Sequence, residues 1–257
     1  MKRALIIFLV GSLLLVAVEE MRDLTQRKKR YWDMAINAPP MLFVSTARGS
    51  KKTVILPDGS TVTLNAASTL SYPATMADGS RTVELLGEGY FDVAAKSCFP
   101  FKVRAKEMMI EVLGTRFNVR SYPDEPTTAF VTAGAVKVSC HNHTMVLHPG
   151  SEAAIGFSNL NGCALQVRNT LDTATTVAWT KGLLTFTDAD LRSLLRELSR
   201  IYNVDIQLEG KVSDHRFQGS LSLQESVDQV LERLVIPYTN VTITRPDKQR
   251  LIISVNK

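Results

Sequence analysis

The sequence has few cysteines, few aromatic residues and no general excess of one charge. Three cysteines in 257 residues allow at most one disulfide and leave one thiol over. Aromatic residues make up 7% of the chain, which does not favour a carbohydrate-binding protein. With 45% hydrophobic and 21% charged residues, the composition is that of a globular protein rather than a disordered one. The length suffices for one large domain or two ordinary ones.

Positive charge is concentrated at the N-terminus. Residues 1–30 hold seven Lys and Arg and three acidic residues, and therefore carry four of the five net positive charges. The rest of the chain is close to neutral, so it has no evident excess of positive charge for binding phosphates. We therefore expect no nucleic-acid partner.

One long apolar run follows Lys2 and Arg3 and extends from Ala4 to Val18. A basic start before an apolar run of this length is typical of an export signal or of a short membrane anchor. No A-x-A cleavage site follows, which favours an uncleaved anchor over a cleaved signal or a buried helix. We assign residues 1–20 to this anchor or signal and residues 21–46 to a linker. We expect the chain in the inner (cytoplasmic) membrane, with everything after Ala47 in the periplasm.

A β-rich region extends over residues 47–180. Strand-like stretches alternate with turn signals, which predicts an antiparallel sandwich or barrel-like β-domain. The stretch "VILPDGSTVTL" is explained as a hairpin, because Asp-Gly pairs tolerate the backbone of tight turns. We expect each of the three cysteines, Cys98, Cys140 and Cys163, to be a structural residue in a core. The turn signals are Pro57–Ser60, Ala77–Ser80, Pro123–Pro126, Ala133–Gly134 and His148–Gly150.

The pattern changes in residues 181–257. Five apolar residues within "FTDADLRSLLRELSRIYNVDIQL" recur at helical spacing, with Thr187 or Asp188 as the cap: Leu191, Leu194, Leu195, Leu198 and Ile201. A second stripe, Leu223 to Leu234, follows a predicted capping box at Ser222 and Glu225. Strands are predicted at Val204–Leu208, Val241–Thr244 and Leu251–Val255. Two strand-helix-strand units predict a small two-repeat α/β (βαβ) module, so the fold class is mainly β with a C-terminal α+β module.

The motifs of common enzymes and metal sites are missing. The sequence contains no Walker loop, no complete dinucleotide motif and no G-x-S-x-G elbow. Glu84, Glu88 and Asp92 could supply paired carboxylates, but the surrounding sequence is strand-like and broken by glycine. A cluster from Cys140 to His148 could suggest zinc, but a polar hairpin tip explains it better. We therefore expect neither an enzyme nor a cofactor.

Several motifs resemble the FecR family, and in particular its Bacteroidetes-type members. The resemblance extends in order over residues 47–257, through "LPDGS", "LN", "GEGYFDV" and "LGTxFNV". Most of the motif residues are expected to be structural: Leu56, Pro57, Asp58, Gly59, Ser60, Asn65, Gly87, Gly89, Phe91, Val93, Gly114, Thr115, Phe117, Asn118 and Val119.

The resemblance implies a transmembrane, anti-sigma-type regulator whose C-terminal domain resembles the short secretin/TonB N-terminal domain. Such a regulator relays a siderophore or glycan signal from an outer-membrane TonB-dependent transducer to an extracytoplasmic-function sigma factor. Family members usually carry a cytoplasmic anti-sigma domain before the membrane segment, and here only Met1, Lys2 and Arg3 precede the apolar run. Three explanations stay open: an upstream start, a separate anti-sigma chain, or a chain that only receives the signal.

The sequence also offers a candidate for the partner-binding surface. The transducer's signalling domain could add to an exposed sheet edge, and the candidate strand is Leu251, Ile252, Ile253, Ser254 and Val255. An assembly module of a secretin-type complex and a glycan-binding β-domain remain as alternatives.

Overall fold

The positions of the strands follow from the alternation of apolar and polar residues. A computed structural model describes residues 19–23, 25–26, 28–29, 39–76, 81–96, 98–158, 162–169, 173–210, 216–236 and 241–255. It divides into two units, Met1–Pro40 and Met41–Lys257. In the first unit, the described residues between 19 and 29 are helical. The predicted anchor Ala4–Val18 and the turn Ala77–Ser80 lie outside the described residues.

None of the helices among the described residues combines the length and the apolar character that crossing a membrane requires.

The second unit begins with a sheet of 13 strands. Its path runs β11-β10-β7-β6-β5-β8-β9-β12-β13, while β3 and β4 also pair with β5 and are joined by β2 and β1. The strands are β1 (Met41–Ser45), β2 (Lys52–Ile55), β3 (Thr61–Leu64), β4 (Thr69–Pro73), β5 (Thr82–Asp92), β6 (Phe101–Ala105), β7 (Met108–Val112), β8 (Arg116–Ser121), β9 (Thr128–Ala133), β10 (Val136–Cys140), β11 (His143–Leu147), β12 (Ser151–Ser158) and β13 (Gly162–Asn169).

The predicted β-region is confirmed, with one shift at its start. The signals Pro57–Ser60, Pro123–Pro126, Ala133–Gly134 and His148–Gly150 all separate strands. Strand β1 falls within the predicted linker 21–46. The charges and prolines of this segment predict a linker, whereas β1 forms because it pairs with β4 further along the chain.

Strand β5 joins the two halves of this sheet. Residues Thr82–Leu86 pair with β4 and β6, whereas Gly87–Asp92 pair with β3 and β8. The core between the halves is apolar and aromatic. Phe91 stacks on Phe117 with 5.0 Å between ring centroids and meets Phe101 edge-on at 6.3 Å.

Cys140 and Cys98 differ in their environments, while the side chain of Cys163 lies outside what the structure describes. Cys140 is 1% exposed and takes part in a disulfide bond. Cys98 is exposed, so the expectation of a core cysteine is wrong there.

The C-terminal part is an α+β arrangement with its own core. A helical turn α1 (Thr173–Thr176) and a 3₁₀ turn (Ala178–Lys181) lead into it. Strands β14 and β16 form one sheet, and β15, β18 and β17 form a second one in that order. The elements are β14 (Leu183–Asp190), α2 (Leu191–Tyr202), β15 (Asp205–Glu209), β16 (Arg216–Ser222), α3 (Val227–Val235), β17 (Val241–Asp247) and β18 (Arg250–Val255).

The predicted helices are confirmed, but both predicted caps are wrong. The leucines of α2 are buried, as their spacing predicts. The cap of α2 is Asp190, because β14 continues through Thr187 and Asp188. The capping box is formed by Ser226 and Gln229 instead of Ser222 and Glu225. In each case the predicted cap belongs to the preceding strand, and a polar residue further along the chain caps the helix: Asp190 lies two residues after Asp188, and Ser226 four residues after Ser222.

Candidate functional site

Five charged residues connect the 13-stranded sheet to helix α2, and we call them the junction. Glu88 lies on β5, Arg120 on β8 and Glu125 in the turn after β8, while Glu197 and Arg200 lie on α2. Charged side chains are rarely this well buried unless they are paired. Their contacts therefore define how the two parts of Met41–Lys257 meet.

Glu88 is the most buried acid of the junction, at 4% exposure. It lies directly opposite Arg120 in the β5–β8 register, so both side chains are on the same face. Its carboxylate accepts hydrogen bonds from Asn65 Nδ2 at 2.8 Å, Asn118 Nδ2 at 2.9 Å and Arg120 Nη1 at 3.1 Å. Three donors thus hold one carboxylate in place inside the protein.

Arg120 extends from β8 to helix α2. Its guanidinium binds Glu125 at 2.8 Å and Glu197 at a shorter separation. Arg200 closes the network, because it binds Glu125 at 2.7 Å and Glu197 at 2.8 Å. The Arg200 guanidinium also lies 4.0 Å from the ring centroid of Tyr122, a cation–π contact.

The pKa values of the two most buried acids of the network are shifted in opposite directions. Burial alone would raise the pKa of Glu197, but the charges and hydrogen bonds of Arg120 and Arg200 outweigh it and lower the pKa to about 2. Burial raises the pKa of Glu88; Arg120 opposes this rise and the charge of Glu197 adds to it. Glu197 is therefore held as a carboxylate, whereas burial disfavours the charged form of Glu88 and raises its pKa.

A second set of contacts fastens the end of α2. Arg48, in the turn after β1, donates to the carbonyl oxygens of Ser199 at 2.9 Å and Val204 at 2.6 Å, and binds Asp205 at 2.7 Å. A cation at a helix C-terminus also meets the negative end of the helix dipole. Helical turn α1 and the 3₁₀ turn, residues 173–181, form a connector between the sheet and the C-terminal part. Lys51 donates to the carbonyl of Trp179 in this connector at 2.8 Å, so the segment between β1 and β2 holds both α2 and the connector.

A cavity of about 210 Å³ lies beside the junction. Its charged lining residues are Glu88, Arg120 and Glu197. The rest of its lining comes from the connector, β14 and α2: Thr175, Trp179, Leu184, Thr185, Phe186, Ala189, Ser193 and Leu194. The lining therefore combines three charged residues with mainly apolar ones, and both parts of the protein contribute to it.

The "LPDGS" motif lies away from the cavity and forms a buried ion pair. Asp58 and Arg81 side chains are 0% and 1% exposed and lie 2.8 Å apart. Asp58 also accepts from the backbone N–H and the hydroxyl of Ser60. Arg81 donates further to the carbonyl oxygens of Phe99 and Ala94, each at 2.7 Å.

Asn65 and Asn118 lie at the junction itself. The side-chain amides of both donate to Glu88, and Oδ1 of Asn118 accepts a hydrogen bond from Trp179 Nε1 at 3.2 Å. These two motif residues therefore connect the β-region to the connector that carries Trp179.

The remaining motif residues lie in the sheet and its turns. A Cβ at Gly87 would come 2.7 Å from Ser68 Cα, and one at Gly114 would come 2.6 Å from Ala95 Cβ. Thr115 donates to the Ala135 carbonyl at 2.9 Å. Pro57 and Gly59 are exposed at the tip of the β2–β3 hairpin, while five others are buried with Gly89: Leu56, Val93, Phe91, Phe117 and Val119.

The predicted edge strand Leu251–Val255 is not an edge. Strand β18 pairs in parallel with β15 and antiparallel with β17, so it is the middle strand of its sheet. Leu251 and Ile253 are 1% and 0% exposed. The sheet-edge prediction for Leu251, Ile252, Ile253, Ser254 and Val255 is wrong, because the last strand inserts between two earlier ones. Binding of a partner by these residues stays a prediction.

Sequence reasoning named Glu88 only as a weak catalytic carboxylate and missed Arg120, Glu125, Glu197 and Arg200. One signal was available for Glu197. It lies three residues after Leu194 and therefore on the apolar stripe of α2, where an unpaired acid would be costly. Glu84 and Asp92 are exposed on β5, and Glu84 lies 3.5 Å from Arg104.

The residues of the zinc hypothesis lie in a hairpin or directly after it: Cys140, His141, His143 and His148. Strands β10 and β11 form a hairpin with Cys140 opposite His143, so the predicted hairpin tip is confirmed. Within the part of the chain that the structure describes, no three potential ligands come together.

Comparisons with known proteins cover both parts of the second unit. Residues 43–137 match the family model "FecR protein", and residues 183–252 match "FecR, C-terminal". No curated protein sequence matches the chain significantly.

Two crystal structures of a candidate anti-sigma factor from Parabacteroides distasonis are similar to this chain over their whole length. The one at 2.50 Å resolution is 30% identical, covers 85% of this chain and 100% of its own, and has a TM-score of 0.76. The one at 1.65 Å resolution is also 30% identical, covers 84% of this chain and 100% of its own, and has a TM-score of 0.75.

Proposed function

This chain belongs to the FecR family, and we propose that it is a membrane-anchored periplasmic regulator of an extracytoplasmic-function sigma factor. The family matches and the similarity to the candidate anti-sigma factor support a role in signal transduction. In the proposal, the signalling domain of an outer-membrane TonB-dependent transducer binds the C-terminal part. The signal then passes through the β-region towards the membrane.

The junction is the observation that carries this proposal. A relay needs a physical connection between the part that receives the signal and the part that passes it on. Arg120 and Arg200 make that connection here, since they bind acids from both the β-region and α2. The energy of a buried ion pair depends strongly on its geometry. A small shift of α2 would therefore change the energy of the contacts that Arg120 and Arg200 make with the acids of the β-region.

Two observations favour a periplasmic location. The apolar run Ala4–Val18 has the composition of an anchor or export signal. Cys140 takes part in a disulfide, and disulfides persist in oxidising compartments such as the periplasm.

We propose no enzymatic activity. Glu88 and Glu197, the acids beside the cavity, are both bound to Arg120, and Glu88 is also bound by two asparagine amides. A general base needs a free lone pair within reach of a substrate proton, and here the carboxylates are used to hold the two parts together.

Titration of the full chain with periplasmic signalling domains of the host's TonB-dependent transducers tests the proposal. We expect one of these domains to bind, as measured by isothermal titration calorimetry. The control is the same transducer without its signalling domain. If no domain binds at high micromolar concentration, the proposal is wrong; self-association without such binding would support an assembly role instead.

A further inference from the structure

Strand β1 forms an open edge of the large sheet. It pairs with β4 along Met41–Ser45, and none of the described strands pairs with its other side. We propose that this edge binds the same edge of a second copy of the chain, in an antiparallel β1–β1 pair. The inference goes beyond the proposed function, because it concerns contact between two copies and not contact with a transducer or a sigma factor.

Every second residue of β1 directs its backbone N–H and C=O groups to β4. Thr46 N–H, directly after the strand, donates to the Ser68 carbonyl at 2.8 Å. Residues of an antiparallel pair alternate between hydrogen-bonded and non-hydrogen-bonded positions. Counting back from Thr46, Leu42 and Val44 therefore form the hydrogen bonds to β4.

The other three residues of β1 direct these groups to the open side. They are Met41, Phe43 and Ser45. The position of Met41 opposite Pro73 agrees with this, because proline has no N–H to donate to β1. Each of the three residues thus presents one N–H donor and one carbonyl acceptor to another strand. An edge of this kind is a template for pairing with a further chain.

The side chains of β1 do not protect this edge. Native proteins prevent pairing at sheet edges with charged side chains, prolines or bulges. Lys52 on β2, Arg168 on β13 and Asp247 on β17 fit this rule, whereas β1 has the sequence MLFVS and no charged residue. Its first three residues, Met41–Phe43, are exposed, and the exposed fraction of Phe43 is 71%. Strand β1 therefore has the composition of a strand that pairs.

A second copy fits this edge because the edge is complementary to itself. When Phe43 lies opposite the partner's Phe43, Met41 lies opposite the partner's Ser45, and Leu42 opposite the partner's Val44. This two-fold register uses the open N–H and C=O groups of both strands. It also places apolar side chains opposite each other on both faces, and no like charges meet.

The interface is small, which sets its expected strength. Strand β1 has five residues, whereas a standard protein–protein interface has about 20–30 residues a side. We therefore expect a weak dimer in dilute solution. The membrane anchor of the proposed function would hold the copies in one plane and raise their effective concentration.

Sedimentation velocity of the full chain in detergent micelles tests the dimer. We expect a monomer–dimer equilibrium that depends on protein concentration. Phe43→Lys places two ammonium groups opposite each other and should weaken the dimer at least about tenfold. Ile55→Lys is the matched control, because Ile55 is an apolar residue on the edge strand β2 and is 75% exposed. It should change the dissociation constant by less than about twofold.

Cysteine cross-linking tests the register. The background is Cys98→Ser, because Cys98 is exposed. Cα atoms of a hydrogen-bonded antiparallel pair lie about 5.5 Å apart, which a disulfide can span. Phe43→Cys should therefore give a disulfide-linked dimer with copper phenanthroline and air as the oxidant. Ser45→Cys should not, because the register leaves the two copies of residue 45 roughly 13 Å apart along the strands.

Three results would overturn the proposal. The first is a wild-type chain that stays monomeric up to about 100 μM. The second is a dimer that Phe43→Lys leaves unchanged, which would place the contact on another surface. The third is cross-linking of Ser45→Cys that equals or exceeds that of Phe43→Cys.

The transducer is the other candidate for this edge. If the wild-type chain is monomeric and Phe43→Lys loses binding of the signalling domain, the edge belongs to the transducer and the proposal is wrong. Sedimentation and cross-linking use no partner protein, so their failure leaves the binding test of the signalling domain unaffected.

Discussion

Arg120 and Glu197 form an ion pair across 77 positions of sequence and join β8 of the sheet to helix α2. The Arg120 side chain is 25% exposed and that of Glu197 is 9% exposed. This pair makes the contact between the two parts sensitive to charge, and it leads to predictions about stability and acid response.

Removing either partner of this pair should destabilise the protein, by different amounts. Glu197→Gln leaves Arg120 with Glu88 and Glu125, so we expect a loss of about 3 kcal/mol in the free energy of unfolding. Arg120→Met leaves three acids with only Arg200 and should cost about 5 kcal/mol. Urea unfolding of both variants measures the difference.

Glu232→Gln provides the control for this comparison, because Glu232 is an exposed acid on α3. It should change the free energy of unfolding by less than about 0.5 kcal/mol. An Arg120→Met variant no less stable than this control would show that the junction does not hold the two parts together.

Acid should weaken the junction through Glu197. Its pKa in the folded protein is about 2, below the value of about 4.3 for an unfolded chain. A carboxylate with a depressed pKa stabilises the fold above its unfolded pKa, and this contribution is lost as the pH falls through the folded value. Glu88 acts in the opposite direction, since its raised pKa makes protonation favour the folded state.

We therefore expect the wild type to lose on the order of 3 kcal/mol more than Glu197→Gln between pH 6 and pH 2. Urea midpoints across this pH range measure the two curves. Parallel curves would contradict the assignment of Glu197.

The buried pair in the "LPDGS" hairpin should be as important for folding as the junction. Arg81→Met leaves Asp58 buried without its counter-charge and removes donors to two carbonyl oxygens, so we expect a loss of about 3–5 kcal/mol. Arg104→Met, at a 56% exposed arginine on β6, should cost less than about 1 kcal/mol. Thermal unfolding measures the loss of stability in both variants. Equal losses of stability would mean that the motif has another role.

A comparison of Gly87 with Gly59 distinguishes steric crowding of an added Cβ from the strain of a positive φ. Both have positive φ, +98° and +89°, so alanine is strained at each by about 1 kcal/mol or more. Only at Gly87 would the new Cβ also meet Ser68, with 2.7 Å to its Cα. Gly87→Ala should therefore be clearly less stable than Gly59→Ala by urea unfolding. Similar stabilities would show that Ser68 can move away at little cost.

Local patterns predicted the elements of this fold well. The hairpin at Pro57–Ser60 and the leucine stripe of α2 depend on neighbouring residues and were both predictable. The place of β18 was not, because pairing of the last strand between β15 and β17 depends on contacts 45 positions apart, such as Ser254 with Glu209. Strand order is not encoded in the alternation of a single strand.

The candidate site was still less predictable. Arg120 and Arg200 are ordinary surface-type residues in the sequence, and their partners come from distant elements. Only Glu197 on an apolar stripe, together with the two motif asparagines Asn65 and Asn118, pointed towards a buried polar contact.

Hydrogen exchange of the full chain, with and without the signalling domain that binds it, tests the central claim most directly. The account predicts that binding changes the exchange of β5 amides around Glu88 in the wild type. In Glu197→Gln, the domain should still bind, but the change should stay within residues 183–252. Unchanged exchange of β5 in the wild type on binding would contradict a relay through the junction.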